Sequence, residues 1–198
     1  MKKFELTTES ITNEAGKKLF RIKALIDFGD VKAGEPGGYV EKEGNVSQDD
    51  NAWVSGDAEV FGNAKVSGNA KVFGNAKVYD NAWVSGDAKV YDNARVYDNA
   101  RVSGNAWVSG DAWVSGDALV FGDADYALVQ GFGTEFRCTT FYRGKNKKIM
   151  VNCGCFHGDL EGFRKQVKET RNGKIAKEYL MIADLMEYHF TSEDSSDE

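Results

Sequence analysis

Four side chains that could bind a soft metal ion lie near the C-terminus: Cys138, Cys153, Cys155 and His157. The last three are spaced by two residues, so on one extended strand they would point to the same face. If a hairpin turned at Lys145-Asn146, Cys138 would lie directly across from Cys153, and thiolates with an imidazole are a common zinc ligand set. Alternate Cα atoms on a strand lie about 6–7 Å apart, so one ion could reach all four only if the strand bent. Because buried cysteine is usually just a small apolar side chain, we expect no cofactor, with zinc as the alternative.

A six-residue repeat fills the middle of the 198-residue chain and must position any functional side chain there. The unit is Ala-x-Val-x-(Gly/Asp)-(Asn/Asp), and it runs through twelve units from Ala52 to Ala124. Ala and Val are two residues apart, so both point to one face of a short strand. The Gly or Asp that follows tolerates the positive φ of a sharp corner. The repeat therefore predicts parallel stacked strands around a narrow core of small apolar side chains.

Starting from valine, the unit is Val-x-x-x-Ala-x, which resembles the hexapeptide repeat of left-handed parallel β-helices. The resemblance implies a mainly β fold with three hexapeptides in each triangular coil, and hence about four regular coils. Val40 and Val46 extend the period towards the N-terminus, with two extra residues around Gln48–Asn51 before Ala52. We therefore assign residues 38–125 to the left-handed β-helix.

The N-terminal segment, residues 1–37, is predicted to be a β cap, because an open end would expose the core and unpaired strand edges. Strands are expected over Lys3–Thr8 and Leu19–Phe28. Three motifs resemble the start of YdcK-like hexapeptide-repeat proteins, which occur in bacteria and in phage or prophage regions: Asp27–Gly34, Gly37–Val40 and Asn45–Gln48. The resemblance covers residues 1–125 and implies the fold without a specific activity.

The composition changes after Asp125, and residues 126–190 are predicted to form a small ββαα domain. Strands over Glu135–Arg143 and Lys148–Phe156 would make a hairpin. Asp159 is a candidate N-cap for a first helix, and Asn172-Gly173 is a stop signal before a second one. The apolar positions of the two helices are Leu160, Phe163 and Val167, then Ile175, Tyr179, Ile182, Met186 and Phe190. Residues 191–198 form an acidic tail that we expect to be disordered.

Candidate binding residues lie at the outward positions of the repeat, where a period of 18 residues groups them into three faces. Face 1 carries Lys77, Tyr79, Arg95, Tyr97 and Trp113; face 2 carries Trp53, Lys71, Phe73, Lys89, Tyr91 and Trp107; face 3 carries Lys65, Trp83, Arg101, Leu119 and Phe121. Cations beside aromatic rings form ladders of stacking and cation–π contacts. On faces 1 and 2 such ladders either stabilise an exposed sheet or serve as a binding surface, since Trp, Tyr and Arg are common interface anchors.

No catalytic residue is predicted in the repeat, and the two histidines, His157 and His189, lie outside it. We therefore expect a non-catalytic binding or scaffold protein, encoded by a phage or another mobile element, that could inhibit a host defence protein by direct binding. One alternative is sequestration of a small anionic ligand such as a nucleotide. Another is an acyl-CoA-dependent acyltransferase, because the best-known enzymes of the resembled fold catalyse acyl transfer.

Composition limits the partners and the location. A net charge of −6 argues against nucleic acid as the partner. No apolar run is long enough to cross a membrane, and the N-terminus lacks the apolar stretch of a signal peptide. Three cysteines do not suggest a disulfide framework, so we expect a cytoplasmic protein, in the host cell if phage-encoded. Its predicted partner is a host or phage protein, or a second or third copy of itself across a flat face.

Overall fold

The computed structural model describes residues 2–134 and 137–191. The N-terminal cap consists of strands β1 (Phe4–Thr12), β2 (Lys18–Ala24) and β3 (Pro36–Val40). Neighbouring strands of the cap pair antiparallel. Both strands expected in this segment are present, although the first runs on to Thr12 and the second ends at Ala24.

Two glycines allow the cap to lie directly on the first coil. A Cβ atom added to Gly37 would lie 2.7 Å from the carbonyl oxygen of Val54, and one added to Gly38 would lie 2.7 Å from the carbonyl oxygen of Ala58. Any larger residue would push β3 away from the coil. Close packing therefore explains the Gly-Gly pair of the motif Gly37–Val40.

The repeat forms a parallel β-solenoid of about five turns. It has one two-residue strand in each unit: β4 (Trp53–Val54), β5 (Glu59–Val60), β6 (Lys65–Val66), β7 (Lys71–Val72), β8 (Lys77–Val78), β9 (Trp83–Val84), β10 (Lys89–Val90), β11 (Arg95–Val96), β12 (Arg101–Val102), β13 (Trp107–Val108), β14 (Trp113–Val114) and β15 (Leu119–Val120). The solenoid fold predicted from the repeat is thus confirmed, and its left-handed sense stays a prediction.

Three sheets arise because each strand pairs in parallel with the strand one coil further along. Face 1 continues from the cap as β3-β5-β8-β11-β14, face 2 is β4-β7-β10-β13, and face 3 is β6-β9-β12-β15. Every repeat alanine and valine from Ala52 to Val120 is at most 1% exposed. Val40 pairs with Val60 and Val46 bridges to Val66, 20 residues on instead of 18, so the two-residue insertion in the first coil is confirmed.

Amide side chains at the corners join successive coils. Asn63 donates from Nδ2 to Oδ1 of Asn81 at 3.3 Å, Asn81 donates to Asn99 at 3.3 Å, and Asn99 donates to Asp117 at 3.2 Å. Similar series begin at Asn51 and at Asn75. The last residue of the repeat unit therefore connects neighbouring coils in addition to favouring a turn.

Lys3 closes the N-terminal end of the solenoid. It is buried, and its Nζ donates to the carbonyl oxygens of Asp49 at 3.1 Å, Asp50 at 3.3 Å and Ala52 at 2.9 Å. A Lys3→Met variant keeps the apolar stem but leaves these carbonyls without the ammonium donor. We expect its free energy of unfolding at pH 7 to fall by about 2 kcal/mol, measured by urea denaturation.

The pH dependence of this difference tests the burial of Lys3 directly. Desolvation lowers the pKa of Lys3 to about 8, with the nearby Asp50 and Asp49 carboxylates opposing the shift. Between pH 8 and the unfolded-state value near 10.5, the unfolded chain binds more protons at this position than the folded chain. Stability conferred by Lys3 therefore rises with pH in this window, and the gap between wild type and Lys3→Met should widen. A gap that stays constant over this window would contradict the lowered pKa of the buried Lys3 side chain.

The C-terminal domain is a four-stranded antiparallel sheet followed by two helices. Its elements are β16 (Tyr126–Phe132), β17 (Arg137–Arg143), β18 (Ile149–Cys153), β19 (Phe156–Asp159), α1 (Leu160–Thr170) and α2 (Gly173–Thr191). Asp159 caps α1 as predicted, with its carboxylate accepting from the backbone N–H of Gly162 at 2.9 Å. The predicted apolar positions of both helices face a common core, with Ile175 partly buried at its edge.

The predicted ββαα pattern has two strands, whereas the domain has four. The predicted strand Lys148–Phe156 is two strands, because Gly154 turns the chain with a φ of 61° and starts a second hairpin. The strand β16 leads directly from the last coil and pairs with β17. Residues 135 and 136, at the start of the predicted strand Glu135–Arg143, and residues 192–198 of the predicted acidic tail lie outside the described residues.

The sheet of this domain lies between the last coil and the helices. Tyr142 from one side joins the solenoid core, and Met150 packs against that core. Phe141 and Val151 from the other side pack on α1 and α2. Within residues 2–134 and 137–191, neither helix is both long and apolar enough to cross a membrane.

Candidate functional site

Face 1 carries an aromatic column that is largely covered at its N-terminal end. The rings of Phe61, Tyr79 and Tyr97 stack with centroid separations of 5.0 Å, nearly parallel. Lys77 beside them forms ion pairs with Glu59 at 3.3 Å and with Glu14 of the β1–β2 loop at 3.5 Å. Burial raises the pKa of Tyr79 to about 12. This half of the ladder is therefore paired within the chain and serves stability.

Face 2 carries a second ladder. Phe73 and Tyr91 stack at 4.9 Å, Lys71 is paired with Asp30 at 2.7 Å, and Lys89 lies 4.1 Å from the ring centre of Trp107. Trp107 is 46% exposed. Faces 1 and 2 thus share the same pattern of cation and ring.

Trp53 was predicted on the outside of face 2, and this prediction is wrong. The side chain is 4% exposed, because the cap folds over it and places Phe4 and Phe28 edge-on against its ring. The outward position of the first repeat is therefore part of the core.

A cleft opens where face 1 meets the C-terminal domain. Its volume is about 430 Å³, within the range usual for small-ligand sites. The solenoid supplies one wall with Asn93, Arg95, Asp111 and Trp113, and the C-terminal domain supplies the other with residues that include Gln130, Cys138, Thr140 and Asn152. We call this space the junction cleft.

Arg95 and Trp113 give the junction cleft its character. The guanidinium of Arg95 lies 5.1 Å from the ring centre of Trp113, which is 38% exposed. In the described part of the chain, no carboxylate forms an ion pair with Arg95. Asp111 accepts from Nδ2 of Asn93 at 3.0 Å through Oδ1. The cleft therefore combines an arginine available to an anion, a flat apolar ring and a nearby acceptor.

The C-terminal domain holds the Trp113 backbone in place. Its N–H donates to Oγ1 of Thr140 at 3.0 Å, and its carbonyl accepts from Nδ2 of Asn152 at 2.8 Å. These bonds satisfy the strand edge that the last coil would otherwise leave open. They also connect the two walls of the cleft.

A known protein family matches the part of the solenoid that lines the junction cleft. Residues 88–101, 94–110 and 100–116 match the family model described as the YdcK beta solenoid repeat. Residues 88–116 therefore carry YdcK-type repeats. The predicted resemblance to YdcK-like hexapeptide-repeat proteins is confirmed for the repeats of this stretch, which contains Arg95 and Trp113. No curated protein sequence matches the chain.

The structure does not bring Cys138, Cys153, Cys155 and His157 together as the predicted cluster. Cys153 pairs with Thr139, so the predicted register across from Cys138 is wrong by one residue. The turn at Gly154 places His157 on the next strand, opposite Asn152, and leaves Cys155 exposed. Among the residues that the structure describes, no group of three or more metal-binding side chains exists.

Cys138 lies in the wall of the junction cleft instead. Burial raises the pKa of its thiol to about 11, with the Asp111 carboxylate adding to the shift. The side chain is therefore a protonated thiol at neutral pH, which is a poor nucleophile and a poor metal ligand.

Ser115, Asn152 and Tyr142 form a polar joint with His157, and none of the three was predicted. His157 donates from Nδ1 to Oδ1 of Asn152, and its Nδ1 lies 3.3 Å from Oγ of Ser115. Asn152 Nδ2 donates to Oγ of Ser115 at 3.1 Å, and the Tyr142 hydroxyl lies 3.4 Å from the same oxygen. The one available signal was a serine at a position of face 1 that is aromatic in the three preceding coils.

Proposed function

We propose that this protein is a non-catalytic binding protein and that the junction cleft is its ligand site. The observation that carries the proposal is Arg95, which has no carboxylate partner within the described residues and stands beside the half-exposed ring of Trp113. The equivalent position one coil earlier on face 1 is occupied by Lys77, which is already paired with two glutamates. Arg95 is thus the cation of face 1 that a ligand can use.

The chemistry of the cleft suits a small molecule with a flat ring and one anionic group. An arginine fork binds phosphate or carboxylate through two parallel hydrogen bonds. The exposed ring of Trp113 offers a stacking surface, and Asp111 accepts from an N–H of the ligand. Nucleoside monophosphates combine these features, so the function is sequestration of a nucleotide-like ligand.

Tryptophan fluorescence and calorimetry with AMP and GMP as probes test this function. We expect quenching on binding, and an increase of the dissociation constant by at least about tenfold for Arg95→Ala and for Trp113→Ala. If neither nucleotide binds the wild-type protein, the proposed ligand class is wrong.

Face 2 supplies the matched controls. Lys89 lies over Trp107 at 4.1 Å in the same solenoid positions, but one face away from the junction cleft. Lys89→Ala and Trp107→Ala should therefore leave nucleotide affinity unchanged. If nucleotide affinity fell equally in the face 1 and face 2 variants, the nucleotide would bind to both ladders and not specifically in the junction cleft.

A protein partner is the second candidate function, favoured by exposed tryptophans outside the cleft. Trp83 and Trp107 are 43% and 46% exposed, and each has a cation over its ring. In this reading a phage or mobile element encodes the chain, which acts in the host cytoplasm by docking on a defence protein. Tagged protein should capture one stoichiometric partner from bacterial lysate, Trp83→Ala with Trp107→Ala should lose it, and Arg95→Ala should retain it.

An acyltransferase is the third candidate, favoured by the place of His157 next to the last coil. Because Nδ1 donates to Asn152, the neutral ring carries its lone pair on Nε2, as a general base requires. Ser115 beside it is only 1% exposed, which suits a structural joint better than an attacking hydroxyl. A rise in melting temperature with acetyl-CoA would favour this candidate.

A further inference from the structure

Asp111 brings a carboxylate to the wall of the junction cleft. It ends the corner series that begins at Asn75, in which Asn75 donates to Asn93 at 3.2 Å and Asn93 donates from Nδ2 to Oδ1 of Asp111 at 3.0 Å. Within the described residues, the other carboxylate oxygen, Oδ2, accepts no hydrogen bond. Because each carboxylate oxygen has two lone pairs, Asp111 can accept further hydrogen bonds from a ligand while its contact with Asn93 holds it in place.

The carboxylate of Asp111 acts across the cleft on the wall formed by the C-terminal domain. Burial raises the pKa of the Cys138 thiol to about 11, and the charge of Asp111 adds to this shift. A charge shifts the pKa of a neighbour in this way only over a short distance. Asp111 and Cys138 therefore border the same small space from its two walls, where a ligand would meet the carboxylate.

The other polar side chains of the cleft do not distinguish a donor on the ligand from an acceptor. Asn152 uses both amide hydrogens within the chain, on the carbonyl oxygen of Trp113 at 2.8 Å and on Oγ of Ser115 at 3.1 Å. Gln130 can turn either its amide nitrogen or its oxygen towards a ligand, and the hydroxyl of Thr140 can both donate and accept. Among the described side chains of the cleft, Asp111 is therefore the pure acceptor.

We propose that the junction cleft selects guanine over adenine and that Asp111 determines this preference. The inference rests on the nucleotide binding proposed above. Guanine presents two adjacent donors on its Watson–Crick edge, N1–H and the N2 amino group, and one carboxylate can accept from both. Adenine presents its N6 amino group beside an unprotonated N1, whose lone pair would face the carboxylate. A guanine nucleotide therefore gains a second hydrogen bond to the charged acceptor, whereas an adenine nucleotide meets repulsion there.

Titration calorimetry of the full chain with GMP, IMP and AMP tests the selectivity. We expect GMP to bind at least about tenfold more tightly than AMP, because hydrogen bonds to a charged acceptor are strong. IMP has N1–H but lacks the N2 amino group, so its dissociation constant should lie between the other two. If GMP and AMP bind equally well, the selectivity is wrong while the proposed nucleotide site stands. If none of the three binds, the proposed function is wrong and the selectivity is overturned with it.

Asp111→Asn tests the role of the carboxylate. The variant keeps an oxygen that can accept from Asn93, just as Asn93 accepts from Asn75, so the corner series is retained. With that oxygen held in the series, the amide nitrogen takes the place of Oδ2 and presents donors to the donors of guanine. We expect the ratio of the AMP dissociation constant to the GMP dissociation constant to fall to about one.

Asp117→Asn is the matched control. Asp117 also ends a corner series, accepting from Nδ2 of Asn99 at 3.2 Å, but it lies at the next corner and does not line the junction cleft. This variant should keep the preference of the wild type for GMP. A preference that survives in Asp111→Asn overturns the proposal, and so does an equal loss of preference in Asp117→Asn.

Discussion

Val90→Asp is expected to lower the free energy of unfolding by at least about 4 kcal/mol, because it places a carboxylate inside the solenoid core. Val90 is 0% exposed and lies between Val72 and Val108 of the neighbouring coils. The surrounding positions are alanines and valines, so no side chain nearby can donate to the new carboxylate. Urea denaturation followed by circular dichroism measures the loss.

The adjacent outward residue provides the control for this prediction. Lys89→Asp introduces the same carboxylate one position earlier on the same strand, where the side chain reaches solvent over Trp107. It should cost less than about 1 kcal/mol. Similar losses for the two variants would mean that the valines do not form the continuous core described here.

Tyr142→Ala is the second large effect, with an expected loss of about 3–5 kcal/mol. The ring is fully buried and ends the solenoid core at the C-terminal side. Burial also raises the pKa of its hydroxyl to about 12, so the side chain is neutral at every ordinary pH. Truncation leaves a cavity between the last coil and the sheet, measurable by urea denaturation.

The conservative variant separates packing from hydrogen bonding at this joint. Tyr142→Phe keeps the ring and removes only the hydroxyl near Oγ of Ser115, so it should cost about 1 kcal/mol. Tyr142→Ala should also weaken the ligand binding that we propose for the junction cleft, because Thr140 on the same strand positions Trp113. If Tyr142→Phe were as damaging as Tyr142→Ala, the joint would depend on the hydroxyl and not on the ring.

The sequence predicted a structural feature correctly where a single residue or a short insertion determines it. Asp159 caps a helix through its own carboxylate, and the two extra residues before Ala52 reappear as a 20-residue pairing between Val46 and Val66. Sequence patterns failed to predict a turn where the residues around it were not typical turn residues. Gly154 ends β18 inside an apolar stretch, so one strand was predicted in place of two and His157 was assigned to the wrong one.

Burial of outward positions was also beyond sequence reasoning. Trp53 and Trp107 occupy the same position in the repeat, yet one is 4% exposed and the other 46%. The difference depends on Phe4 and Phe28 of the cap, which are distant in sequence and follow no repeat. The sequence could therefore predict that the candidate binding residues form ladders. It could not predict which of them are ion-paired within the chain, which are buried and which are accessible to a ligand.

The amino-acid sequence by itself determined the solenoid, its three faces and its alanine–valine core. Each unit has the same local geometry and meets only the units one coil away, so a period of six residues is sufficient to specify them. The tertiary structure alone decided the junction cleft, the Ser115–His157 joint and the isolation of the cysteines. These features depend on how the sheet of the C-terminal domain packs on the last coil, and packing between segments without a common period leaves no regular pattern in the sequence.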